Sequence, residues 1–182
     1  MPLWNQDRVL AAWNFASDVH KDQKVPGTDI AYINHIGTVA MEVMGAVSSA
    51  PEGIENPDLA ILCALLHDTI EDTGTSFDEL REGFGQEVAE GVQALSKDTV
   101  LSTKEAQMAD SLARIKACPK EVWMVKLADR ITNLQPPPAH WTRVKAAAYR
   151  DEATVILGAL GDAHALLARR LQEKIDHYVR YC

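Results

Sequence analysis

Disulfide chemistry is missing from this chain. Its three cysteines, Cys63, Cys118 and Cys182, are an odd number and form no CxxC pair. Buried or free thiols in a reducing compartment are expected. Long apolar runs are missing too: none approaches the roughly 20 residues of a membrane span. The N-terminal stretch MPLWNQDRVL is charged and lacks the apolar core of a signal peptide. Positive charge is in deficit, with 18 Lys and Arg against 26 Asp and Glu and a net charge of −8. That argues against broad binding to nucleic acid or an anionic membrane. A small anionic ligand stays open, because a metal ion or a few local cations reverse the field inside one cleft. The expected protein is soluble and cytoplasmic, and self-association stays open.

No segment shows period-2 alternation with its own hairpin turn, and there is no repeat or low-complexity tract. What is present is helical periodicity. Val9, Trp13, Ala16 and His20 recur at helical spacing. Residues 36–47 read as a second helix with a buried face. Pro51, Gly53 and Pro57 punctuate a loop, and a third helix starts near Pro57 and runs to Asp68 or Asp72. Ser76 and Glu79 have capping-box spacing, and Gly85 ends that short helix. Helices are expected over 86–95 and 104–117, and another opens at Pro119 and stops before Pro136-Pro137-Pro138. Two long helices follow, about 140–160 and 162–180, broken at Gly161. Nearly half of the 182 residues are apolar, enough for a core. The expected fold is all-α, a single-domain bundle of about eight to ten helices over 1–182. Its motif-bearing core covers about 20–135, and C-terminal helices cover about 139–181.

The stretch LLHDTIEDTG raises a physical problem. His67, Asp68, Glu71 and Asp72 crowd the end of an apolar run, where charge is expensive. On a continuous helix, His67–Glu71 and Asp68–Asp72 would be neighbours. Three acids packed together would each resist ionisation. A divalent cation removes the difficulty by neutralising carboxylates and accepting an imidazole nitrogen. Two other segments add polar groups at buried-looking positions: AYINHIG with His35, and VKLADRITNL with Asp129 and, one turn later, Asn133. Lys126, Arg130, Arg143 and Lys145 carry charge that could meet phosphate, or simply face solvent. Trp4, Trp13, Trp123 and Trp141 read as core or interface aromatics, and His20 as a core or surface group that could also line a cleft. His140, His164 and His177 have no partner motif.

The order His … His-Asp … Asp resembles the HD-domain metal-dependent phosphohydrolases. AYINHIGTVA, ALLHDTIEDT, FGQEVAEGVQALSKD and VKLADRITNL resemble more closely the hydrolase domain of RelA/SpoT-type enzymes, above all the stand-alone small alarmone hydrolases. The resemblance implies metal ligation by His35, His67, Asp68 and Asp129, typically of Mn²⁺, although this donor set also suits Fe²⁺, Zn²⁺ or Co²⁺. It implies that Glu71 and Asp72 work at the attacking water, and that Asn133 touches the nucleoside unless it only closes its helix. Lys24 falls where the family usually has an arginine against the base, and Val25 where a second basic residue is common. Lysine cannot stack as a planar guanidinium does, so the base preference is in question. The implied reaction is hydrolysis of guanosine 3′-diphosphate 5′-(di/tri)phosphate to pyrophosphate and GDP or GTP, within the stringent response. A synthetase domain has no room in 182 residues. Two alternatives stay open. One is an HD phosphohydrolase acting on another nucleotide, such as an adenosine alarmone or NADPH. The other is a non-catalytic metal- or nucleotide-binding helical module.

Overall fold

The centre of the molecule is a helix with no polar face. The computed structural model describes residues 3–182, and in it α3 (Pro57–Leu66) has every residue from Leu59 to Leu66 buried. Around it pack α1 (Gln6–Val19), α2 (Ile33–Ser49), α6 (Gln86–Leu95) and α8 (Lys120–Asn133). A helix that is apolar all round must be enclosed on every side, and four neighbours do this. Removing one of its side chains, as in Leu62→Ala, would cost about 2–5 kcal/mol.

The start of α3 is set locally. The Asn56 side chain accepts from the Leu59 N–H, Pro57 opens the first turn, and Asp58 lies in it. This is the sequence signature of a helix N-terminus. The close approach of α6 depends on Gly91, where an added Cβ would meet Cys63 Sγ at 2.7 Å and Val122 Cγ2 at 3.0 Å.

The remaining helices are α4 (Thr69–Asp72), α5 (Phe77–Phe84), α7 (Lys104–Lys116), α9 (Arg143–Leu160) and α10 (Ala165–Tyr178), with 3₁₀ turns at Gly161–Ala163 and Val179–Tyr181. The Ser76–Glu79 capping box forms, and Gly85 ends α5 with a positive φ of 98°. The described residues contain no strand, only an isolated antiparallel bridge between Lys24 and Ala31. Among them, no helix is long and apolar enough to cross a membrane.

Two expectations change. The third helix does not continue to Asp72. It ends at Leu66, and Asp68 adopts φ −101°, ψ 0° before the single turn of α4. Thr69 Oγ1 donates to the Leu66 carbonyl at 2.7 Å, so a side chain takes up an acceptor that the helix ladder would have used. Of the four tryptophans, Trp4 and Trp123 pack half-buried against the core as expected, whereas Trp13 is 37% exposed and leans over Gly37.

Candidate functional site

The break after Leu66 sets the His67-Asp68 pair at the edge of the core, beside the first turn of α2 and the C-terminal half of α8. His67 Nδ1 lies 2.9 Å from the Ala64 carbonyl. A carbonyl only accepts, so Nδ1 carries a proton and Nε2 faces away from the backbone. Nε2 comes within 2.9 Å of Asp68 Oδ2 but out of line for a hydrogen bond, so it is buried without a partner. His35, from the first turn of α2, places Nε2 3.4 Å from Asp129 Oδ1 and 3.6 Å from Asp68 Oδ2. Asp129, from α8, lies 3.9 Å from His67 Nε2. One donor atom each from His35, His67 and Asp129 falls within 4.8 Å of the others. Two imidazoles and two carboxylates thus converge from three elements, with an orphaned imidazole nitrogen among them. This donor set suits a divalent transition metal.

The electrostatics follow from the crowding. Burial alone would lower the His67 imidazole, but Asp68 and Asp129 push it up to about 9. Burial also opposes the charge of Asp68, yet the adjacent imidazole holds that carboxyl down at about 2. Asp129 is buried as well, and Lys126, with Nζ at 3.2 Å, keeps it well below the usual carboxylate range. Tyr32 donates its hydroxyl to Asp68 Oδ2 at 2.6 Å. Burial and that carboxylate raise its own pKa far above the ordinary phenol value.

Glu71 and Asp72 border the same polar cavity of about 210 Å³, together with Lys97, Lys126 and Asn133. Because the helix breaks, neither leans back on His67 or Asp68. Both Glu71 oxygens accept from Lys97, one from its backbone N–H and one from its ammonium, each at 2.8 Å. Burial opposes the Lys97 charge, but Glu71 raises its pKa. Asp72 Oδ2 accepts from Gln23 Nε2 at 2.9 Å. Gln23 Oε1 faces His20 Nδ1 at 2.6 Å, and His20 is 1% exposed. The Lys24–Ala31 bridge puts Gln23 beside Tyr32, whose N–H donates to the Gln23 carbonyl. One short loop therefore touches two of the carboxylates.

Asn133 donates to Asp129 Oδ1 at 2.5 Å. With His35 it also lines a larger cleft of about 1050 Å³, whose walls include Val25, Trp141 and Tyr149. Trp141 stands edge-on to Tyr149, and Lys145 Nζ sits 4.3 Å from its ring centre. Lys24 is elsewhere: its ammonium is exposed and pairs with Asp29 at 2.7 Å. Arg143, at the start of α9, is exposed and lines neither cavity. Arg130 is buried, 4.4 Å from the Tyr149 ring centre and 3.3 Å from Glu152.

Sequence reasoning passed over Tyr32, Gln23 and Lys97. Gln23 stands one turn after His20 and Tyr32 three residues before His35, which is a weak signal. Nothing in the spacing ties Lys97 to Glu71.

Three comparisons place this geometry. The HD domain family model matches residues 12–172. The guanosine-3′,5′-bis(diphosphate) 3′-pyrophosphohydrolase MESH1 of Xenopus tropicalis is 33% identical over 175 residues, covering 93% of this chain and 91% of that protein. An Aquifex aeolicus protein named guanosine-3′,5′-bis(diphosphate) 3′-pyrophosphohydrolase is 33% identical over 131 residues, which are 71% of this chain but 18% of that protein. The solved structure of a metazoan ortholog of SpoT that hydrolyses ppGpp superposes with a TM-score of 0.78 at 24% identity. It covers 93% of this chain and 94% of its own, a likeness of fold. With a helical bundle of the same architecture, a His/Asp cluster facing a cleft, and a MESH1 relative aligned along nearly its whole length, the chain belongs to the HD-domain family.

Proposed function

We propose that the chain, working as one domain, is a metal-dependent hydrolase of guanosine 3′,5′-bis(diphosphate) and its 5′-triphosphate form, releasing pyrophosphate from the 3′ position. The observation that carries this reading is the convergence of His35, His67, Asp68 and Asp129 in a polar cavity that opens, past Asn133, into a nucleotide-sized cleft. The curated relatives carry the same activity in their names.

The four convergent residues are the ligands in this reading, and Mn²⁺ is the ion we favour. A divalent ion there supplies charge neutralisation and a water acidic enough to react near neutral pH. The remaining work falls to the chain. Asp72, with one oxygen fixed by Gln23, orients the attacking water and takes its proton. As the water oxygen bonds to the phosphorus attached to O3′, the P–O3′ bond breaks. Pyrophosphate forms, and the ribose oxygen takes up a proton to become the 3′ hydroxyl. Lys97 and Lys126 line the cavity and face the charge that builds on the phosphoryl oxygens. Glu71 holds Lys97 in place. Asn133 orients Asp129 and borders the nucleoside side of the cleft.

The test is purified protein loaded separately with Mn²⁺, Fe²⁺, Zn²⁺ and Co²⁺ and assayed for pyrophosphate release. The panel contains guanosine and adenosine bis(diphosphates) and NADPH. Release of pyrophosphate and GDP from the guanosine compound, fastest with Mn²⁺, is expected. No release with any metal would overturn the reading.

A further inference from the structure

The large cleft has a second neighbour. Gln135, Pro136, Lys174 and Tyr178 line both it and a further cavity of about 410 Å³. That cavity shares no lining residue with the His/Asp cavity. The cleft thus borders the His/Asp cavity at His35 and Asn133, and a separate chamber at Lys174 and Tyr178.

The charges around this chamber run against those of the chain as a whole, which is net −8. Arg170, Lys174 and Arg180 line the chamber, against one carboxylate, Glu173. Arg170 is committed elsewhere: its Nε donates to Glu42 Oε2 at 2.7 Å and its Nη2 bonds the other oxygen. That pairing also neutralises Glu42, which lines the cleft beside Lys174. Arg180 spends only its Nε, on the His177 carbonyl at 3.0 Å.

Lys174 stands one turn before the buried Tyr178 on α10, at the edge of the face made by Leu171 and Ile175. It lines both the cleft and the chamber. It is half-buried, and among the described residues no carboxylate lies within ion-pair reach of it. A partly desolvated ammonium without a counter-charge is costly, and an incoming anion removes that cost.

We infer that Lys174, with Arg180 behind it, forms the subsite for the phosphate chain on the 5′ side of a nucleoside polyphosphate. This deepens the proposed function and rests on it for orientation. With the 3′ diphosphate in the polar cavity, the ribose and base occupy the cleft between Val25 and Trp141, and the 5′ substituent leaves the ribose in a different direction. Lys174 then meets the first 5′ phosphates. Arg180 meets a third one, in the chamber.

The experiment compares kcat/KM for guanosine 3′-diphosphate, which lacks 5′ phosphates, with the 3′,5′-bis(diphosphate) and the 5′-triphosphate form. In Lys174→Gln, the preference for the bis(diphosphate) over guanosine 3′-diphosphate should fall about tenfold, the scale of one charged hydrogen bond. The loss should lie in KM, and Lys174→Arg should restore it. In Arg180→Gln, the preference for the 5′-triphosphate over the 5′-diphosphate should fall. A preference unchanged in both glutamine variants would overturn the subsite. A second measurement does not depend on turnover: GDP titrated calorimetrically into wild type and Lys174→Gln. Binding weakened about tenfold in the variant supports the subsite even if the wild type releases no pyrophosphate, an outcome that would sink the hydrolase reading alone. Equal GDP affinity in the two proteins would count against the subsite whatever the activity.

Discussion

Lys97 holds both oxygens of Glu71, one through its backbone N–H and one through its ammonium. Asp72 keeps one oxygen outside its bond to Gln23, which suits it to meet the water in the proposed reaction. Asp72→Asn should therefore lower kcat about 10²–10⁴-fold with metal content intact. Glu71→Gln should retain metal and cost less. Glu71→Gln and Lys97→Met should also be strongly non-additive, because each breaks the same clamp. Steady-state kinetics on the two singles and the double would show it. Fully additive losses would mean that the residues act separately.

Metal removal should loosen the fold as well as stop turnover. At a free metal concentration of about 100 Kd, binding contributes about 2.7 kcal/mol, or about 5–10 °C in Tm for a chain of this size. Chelation should remove that increment from the wild type. Asp129→Ala should bind no metal, show no activity and give a Tm indifferent to chelator. Differential scanning calorimetry with metal analysis checks this, and a chelator-sensitive Asp129→Ala would place the ion elsewhere.

Proton release should accompany metal binding. In the metal-free fold the His67 pKa is raised to about 9, so near pH 7 the ring is an imidazolium. A ligand must be neutral. The proton-bound form is favoured below about pH 9, so apparent metal affinity should rise with pH up to there and then level. Titration calorimetry at pH 7 in buffers of different ionisation enthalpy should show about one proton released, fewer as pH 9 is approached. A buffer-independent enthalpy at pH 7 would contradict the assignment.

Lys24 faces solvent beside Asp29 rather than the cleft. Lys24→Arg should leave the ratio of kcat/KM for guanosine and adenosine bis(diphosphates) within about twofold, far from the ~1 kcal/mol of a stacked cation–π contact. A larger rise in guanine preference would mean that the loop swings inward when substrate binds.

Much of this was legible beforehand, for reasons that differ from residue to residue. Helical periodicity and local capping survive translation into structure because both act within a few residues: Ser76 with Glu79, and Pro57 in the first turn of α3. His35, His67, Asp68 and Asp129 stood out as polar groups in apolar surroundings, and the fold brings them together. The break after Leu66 was not legible, because it rests on the Thr69 hydroxyl choosing one particular carbonyl. Nor were the partners of Glu71 and Asp72. Lys97 lies 26 residues from Glu71 and Gln23 lies 49 from Asp72, and only tertiary packing sets such pairs.

Glu121 sits far from the His/Asp cavity, at the opposite ends of two helices that build it. Its Oε1 accepts from the backbone N–H groups of Glu55 and Asn56 at 2.8 and 2.9 Å, and the residue is 5% exposed. It therefore rivets the foot of α3 to the first turn of α8, the two helices whose opposite ends present His67 and Asp129. Ten residues of helix make a lever of about 15 Å. A tilt of about 5° at the foot would sweep the tip by roughly 1.3 Å, several times the ~0.2 Å tolerance of a metal–ligand bond. A buried carboxylate at one end of the bundle thus bears on the alignment of the donor atoms at the other.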